Sequence, residues 1–248
     1  MSLPLIEGIA KVQFIDIPTE QTTAITDAVL ALLALGCSFY LCRIRSYEPW
    51  KTKVWSWAFG LIAVSAVLGT IVHGFKISEV VKYVLWQPLF LMLGLAVSLF
   101  VVGVIYDLWN YTIAHRSLPI MLVAAVGFYI LTRIFSGSFF IFIAYEALAL
   151  IFALGSYLWL VKQGKLAGAA LMASGILISI IAAIIQSSKA VSMKIIWGFD
   201  HNGIFHLLQM VGLLFLVAGL RSALVWPRMR LKEQQSANVG SEYDRNRK

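Results

Sequence analysis

The 248-residue chain is 60% hydrophobic and only 13% charged, where a soluble globular domain carries about 25% charged residues. So little polar surface cannot cover so much apolar surface in water, which excludes an ordinary soluble fold and leaves room for six to eight membrane spans of about 20 residues. The net charge of +8 does not point to nucleic acid, because the basic residues sit at the ends of apolar runs, where they act as orientation signals.

Residues 1–24 set Glu7, Asp16 and Glu20 against one Lys11, the opposite of a basic, cleavable leader. This stretch is expected to be an extracytoplasmic segment, with 5–17 lying at the interface. Residues 25–231 are expected to form the membrane domain. Seven apolar runs follow, at 25–43, 55–75, 82–106, 118–135, 138–161, 166–187 and 201–221. Each is long enough to cross the hydrocarbon as a helix. The spacing predicts an all-α, polytopic seven-transmembrane-helix bundle, since barrel strands would be shorter and would alternate. Cys37 and Cys42 lie in the first run and read as reduced packing residues. Ser136-Gly137-Ser138 and the 162–165 stretch are short enough to make their flanking helices antiparallel neighbours. The longest connection, 188–200, carries Lys189, Lys194, Trp197 and Gly198 and suits the interface. Residues 232–248 are polar and read as a disordered cytoplasmic tail.

Counting Lys and Arg by side places 14 on one face and six on the other. The richer group includes Arg43, Arg45, Lys51, Lys53 and Arg116. The positive-inside rule makes that face cytoplasmic, with the N-terminus outside, as in a bacterial inner-membrane protein.

Polar groups inside hydrocarbon are costly, so their positions carry information. They gather in the outer half: His73 near the end of helix 2, Gln87 about 10 Å into helix 3, Arg133 near the end of helix 4, Glu146 about 12 Å into helix 5 at 1.5 Å per residue, and Gln186 at the close of helix 6. The inner half shows no comparable set, with Asp107 and His115 expected at its edge, facing an aqueous loop. Several of these have ordinary structural explanations. Gln87 and Gln186 suit helix–helix hydrogen bonding, and Arg133 can snorkel outward. Glu146 is harder to explain away. Its neighbours Ile143, Ala144, Ala147 and Leu148 are apolar, so it must be neutral or meet a partner from another helix.

The densest local signal is Asp200-His201-Asn202-Gly203-Ile204-Phe205-His206-Leu207-Leu208-Gln209. Asn202 and His206 share a face at i,i+4, and Gln209 extends it inward. His201 and His206 converge only if His201 lies before the regular helix. Asp200 is suited equally to capping helix 7 and to orienting a ligand or activating a metal-bound water. Three histidines at one depth, His73, His201 and His206, match a catalytic zinc site of three protein ligands and one open position.

Seven helices, a late helix 2 His73 and a His-bearing start to helix 7 resemble the superfamily of alkaline ceramidases and progestin/adiponectin receptors. That resemblance implies a zinc ion on one helix 2 His and two helix 7 His, with amide hydrolysis of ceramides as its chemistry. The chain departs from the pattern in three places. Gly69 stands in the helix 2 Ser slot, with Thr70 beside it and Ser65 two turns back from His73. Asn202-x-x-x-His206 replaces a His pair. The Asp that the resemblance implies near the start of helix 3 has no counterpart, and Gln87 is the nearest polar residue. The Phe-Asp-His-Asn…His…Gln run is also similar to that of a bacterial seven-helix family with no assigned function.

Three functions follow as expectations. The first is a ceramidase-like zinc hydrolase of a lipid-derived amide or ester. His73, His201 and His206 would be its ligands, Asp200 and Glu146 its catalytic groups, and Gln87, Asn202 and Gln209 its substrate pocket. The second is a non-enzymatic sensor or receptor that binds a small molecule in the same outer pocket. The third is a proton-coupled transporter in which Glu146 titrates. No Lys on helix 7 is available for a retinal Schiff base.

Overall fold

The computed structural model describes residues 13–45, 48–135, 140–188, 191–194 and 197–245, with side chains described as far as Val225. Its helices are α1 (Pro18–Arg43), α2 (Pro49–Gly74), α3 (Glu79–Leu108), α4 (Tyr111–Ile134), α5 (Phe140–Gln163), α6 (Ala169–Ser188) and α7 (His201–Arg245). All seven are long and apolar enough to cross a membrane, with the spanning part of α7 at His201–Val225. The fold is therefore the expected all-α seven-helix bundle. Its helix boundaries differ from the apolar runs in one consequential way. α1 begins at Pro18, seven residues before the first apolar run, because proline suits the first helical turn and Glu20 lies in that turn. This draws Thr22 and Thr23 into the bundle beside Thr26 and Asp27, and all four are buried. Beyond the last apolar run, the backbone of α7 stays helical to Arg245, across most of the stretch expected to be a disordered tail.

The helices do not pack equivalently. α1, α2, α3, α5, α6 and α7 form a closed ring in that order, with α7 returning to α1. α4 packs mainly on α3 from outside the ring. Ser98 of α3 secures it by donating to the Met121 carbonyl (2.5 Å). α4 leaves Ile120, Val123, Ile130 and Ile134 exposed, as suits lipid contact in a protein of this composition. α6 and α7 approach closely, because a Cβ on Gly175 would lie 2.8 Å from the Gly212 carbonyl oxygen, and one on Gly212 3.0 Å from that of Gly175. Small residues permit such backbone contact between membrane helices.

The short 162–165 connection closes with Gly164 in the left-handed region (φ 61°). Its N–H bonds the Val161 carbonyl, and Lys165 N–H bonds that of Leu160, the two bonds of a Schellman C-cap. The Ser136-Gly137-Ser138 turn lies outside the described residues, as do Lys11 and Lys189. The 188–200 connection contains a two-residue antiparallel pair, Met193–Lys194 (β1) with Gly198–Phe199 (β2), which apolar counting does not foresee. On the same face, Phe14 bridges Phe75, stacked ring on ring at 5.2 Å. We call this the N-terminal face, since α1, α3, α5 and α7 all start there.

Candidate functional site

The six-helix ring encloses a cavity of about 370 Å³, to which α4 contributes no residue. On α2 its walls run from Trp55 to His73 and on α7 from His201 to Leu216. At 1.5 Å per residue those stretches span about 27 and about 22 Å, so the cavity is long and narrow. Its deep part is apolar, formed by Trp55, Phe59, Phe100, Leu150 and Ile176. The part nearer the N-terminal face is polar, with Asp27, His73, Glu146, Gln186, His201, Asn202, His206 and Gln209 in its walls. Among the lining residues there is no Lys or Arg.

α1 organises the polar end. Asp27 is only 5% exposed and His206 only 8%. The two meet at 3.3 Å through Oδ1 and Nε2. The other ring nitrogen of His206, Nδ1, lies 3.1 Å from the Thr26 hydroxyl, whose hydrogen goes to the Thr23 carbonyl (2.9 Å). That hydroxyl therefore accepts, and Nδ1–H donates. The Asp27–Nε2 contact then needs one proton of its own, carried either by the ring or by the carboxyl, and the pair is neutral as a unit in both cases. Gly69 makes room for it, since a Cβ there would fall 2.6 Å from Asp27 Oδ2. This is the reason for glycine in a slot where the resemblance implied serine.

The remaining expected site residues separate into two groups. His73 lines the cavity and bonds Glu20 of α1 through Nδ1 at 2.7 Å. Asn202 accepts a long bond from Gln186 (3.5 Å), and Gln209 Oε1 is buried without a hydrogen-bond partner among the described residues. His201 also lines the cavity. Glu146, 8% exposed, faces the same cavity, with no hydrogen bond or ion pair among the described residues. Asp200 and Gln87 lie outside the lining. Asp200 Oδ1 accepts from Gly203 N–H (2.9 Å) and from the Thr23 hydroxyl (3.0 Å), so it caps α7 and ties it to α1. Gln87 turns back to the Tyr83 carbonyl of its own helix (3.0 Å). Arg133 does not reach Glu146. It is exposed, donating to the Tyr83 hydroxyl at 2.8 Å and lying over that ring.

The donors do not fit the expected zinc site. Both His206 nitrogens are engaged by α1, His73 Nδ1 is held by Glu20, and among the described residues no three His, Cys, Asp or Glu are grouped to hold a metal.

The opposite half of the bundle corrects a second expectation. Asp107 does not face a loop. Its side chain is 2% exposed, as is that of Lys51, and the two meet at 2.5 Å. Tyr157 of α5, wholly buried, donates to the other Asp107 oxygen at 2.8 Å. Lys51, counted above as a flanking cytoplasmic charge, is a core residue joining α2 to α3 and α5. His115 is exposed, as expected, and packs beside Tyr111.

Sequence reasoning missed Asp27, Glu20, Thr23 and Thr26. Their signal was present in Pro18 and Glu20 as a helix start, followed by polar residues at 22, 23, 26 and 27, one face of a helix.

The architecture defines a seven-helix bundle of membrane-spanning type with a buried, polar-ended cavity. The chain belongs to a family of unknown function (DUF6962), whose model matches residues 22–225. That range includes every residue that lines the cavity and all seven spans apart from the first four residues of α1, Glu20 among them. Comparison with curated proteins and with solved structures gives no match, so the ceramidase and receptor resemblance gains no support from relatives.

Proposed function

We propose that this protein is a membrane-embedded binding protein, of the sensor or receptor kind, for a small, elongated, mostly apolar molecule. The observation that carries this reading is the cavity itself: about 370 Å³, lined by six helices, apolar in its depth and polar at one end. Pockets of this volume and mixture hold small ligands, with apolar walls giving affinity and a few polar groups fixing orientation. The excess of Lys and Arg on the opposite face supports an orientation with the polar end outside the cytoplasm, in a bacterial inner membrane.

The zinc-hydrolase reading is less well supported, because His73 and His206 are engaged separately by α1 and no three His, Cys, Asp or Glu among the described residues are grouped to hold a metal. The pocket set retains Asn202 and Gln209 and gains Asp27; Gln87 and Asp200 serve the helices that carry them.

The test is occupancy. Protein purified in mild detergent is extracted with solvent, and the extract is compared by mass spectrometry with that of Ala66→Phe, which fills the cavity from a buried wall position. A near-stoichiometric organic compound in the wild type, absent from a monodisperse variant, is expected. Equal traces in both would count against a binding cavity.

A further inference from the structure

We infer that the ligand is a lipophilic amine, bound as its ammonium ion with Glu146 as counter-ion; this rests on the binding-cavity reading above. Among the described residues, two acidic side chains, Asp27 and Glu146, line the cavity, and no Lys or Arg does. Asp27 is satisfied by His206, and at the rim His73 is matched by Glu20. Glu146 is what remains. More than nine-tenths buried, it faces the cavity with no protein partner among the described residues.

A carboxylate without a cation in so apolar a place is costly, and helix ends that could offer water lie about two turns away. A ligand cation removes that cost by supplying the missing charge. An anionic ligand would meet two acids and no Lys or Arg among the described residues, and two of the three lining histidines, His73 and His206, are already held by Glu20 and Asp27. A neutral ligand would leave the carboxyl as it is.

The walls favour the same chemistry. Phe142 sits one turn before Glu146 on α5, and Trp86 and Phe205 face the cavity from α3 and α7. Aromatic faces attract organic cations and accept an apolar body equally well. The cavity's length beyond Glu146, down to Phe59 and Trp55, suits an elongated body whose charged end stays in the polar third.

The experiment uses the full chain in phosphatidylcholine nanodiscs, with empty nanodiscs to subtract partitioning. Three probes share one body and differ in head: phenylhexylamine, phenylhexanol and phenylhexanoate. Binding is read from quenching of tryptophan fluorescence and from calorimetry. The amine should bind at least about tenfold more tightly than the alcohol, as a charge-assisted contact in a dry site does, and the carboxylate should not bind. In Glu146→Gln the amine should fall to the alcohol's affinity while the alcohol is unchanged, and Glu146→Asp should restore part of the preference. If alcohol and amine bind the wild type equally, or the amine keeps its advantage in Glu146→Gln, the counter-ion assignment is wrong and the cavity reading stands. If none of the three binds, both fall. The wild-type comparison of amine with alcohol decides the matter even if Glu146→Gln does not fold.

Discussion

Two buried ionic sites lie at opposite ends of this bundle. At the basic-rich end, Lys51, Asp107 and Tyr157 form a closed set, in which cation, anion and hydroxyl each answer another and the Lys51 and Asp107 side chains are 2% exposed; Glu48, its side chain 37% exposed, lies at the rim 3.9 Å from Lys51. At the N-terminal end the bonds are uneven. Asp27 and His206 satisfy each other, Asp200 caps a helix, and Glu146 lines the same cavity with no partner among the described residues. A closed ionic set holds helices at fixed positions and has no valence left for a ligand. An open one costs stability unless something else completes it, and such local inconsistency is what functional sites tend to show. The same residue types thus do different work according to whether their partners come from the chain.

The largest effect should come from opening the closed set. Lys51→Met keeps the bulk and removes the cation, leaving Asp107 buried with only Tyr157. Loss of one partner of a buried pair costs about 3–5 kcal/mol, so unfolding in detergent should shift strongly or the protein should fail to accumulate. The double variant Lys51→Met/Asp107→Leu should recover most of that, since replacing a whole buried pair by apolar residues is often neutral. A double variant as unstable as the single one would show that the ionic geometry itself specifies the fold.

The converse holds for the open site. Glu146→Leu removes an unsatisfied buried group, and the unliganded protein should become more stable by about 1–3 kcal/mol. Denaturant midpoints of wild type and variant in the same micelle, with bound small molecules first removed, give the comparison. A loss of stability would mean that Glu146 has a partner within the fold, and the contrast between the two ends would disappear.

The sequence made the bundle legible because seven long apolar runs need nothing but length to be recognised. Within the site, it made legible the residues that interrupt apolar runs: His73, Glu146, His206 and Gln209. It concealed those at the edges. Asp27 lies near the start of the first apolar run, and the polar face that it forms with Thr22, Thr23 and Thr26 shows only once the helix is seen to begin at Pro18. Lys51 and Asp107 look like flanking charges, each near the end of its own helix, and only the packing of α2, α3 and α5 turns them inward. Pairing between helices distant in sequence leaves no mark on either helix alone. That is also why three histidines at one depth suggested a metal: their depth could be counted, but the α1 side chains that engage two of them could not.

The smallest effect separates two roles that the sequence left open for Asp200. As the cap of α7, its carboxylate accepts from Gly203 N–H at 2.9 Å and from Thr23 at 3.0 Å, and it lies outside the cavity lining. Asp200→Ala removes the acceptor and should cost about 1 kcal/mol, the usual loss for an N-cap. Asp200→Ser keeps a capping oxygen while removing the charge, and should cost only a fraction of that. Neither change should alter binding of the amine probe by more than about twofold, because the cap only sets where α7 begins and does not touch the cavity. Stability is read from detergent unfolding and binding from the nanodisc assay. If Asp200→Ser instead abolishes binding while the helix stays capped and stable, the carboxylate acts on the ligand, and the polar end of the cavity extends beyond the Asp27–His206 pair to the very start of α7.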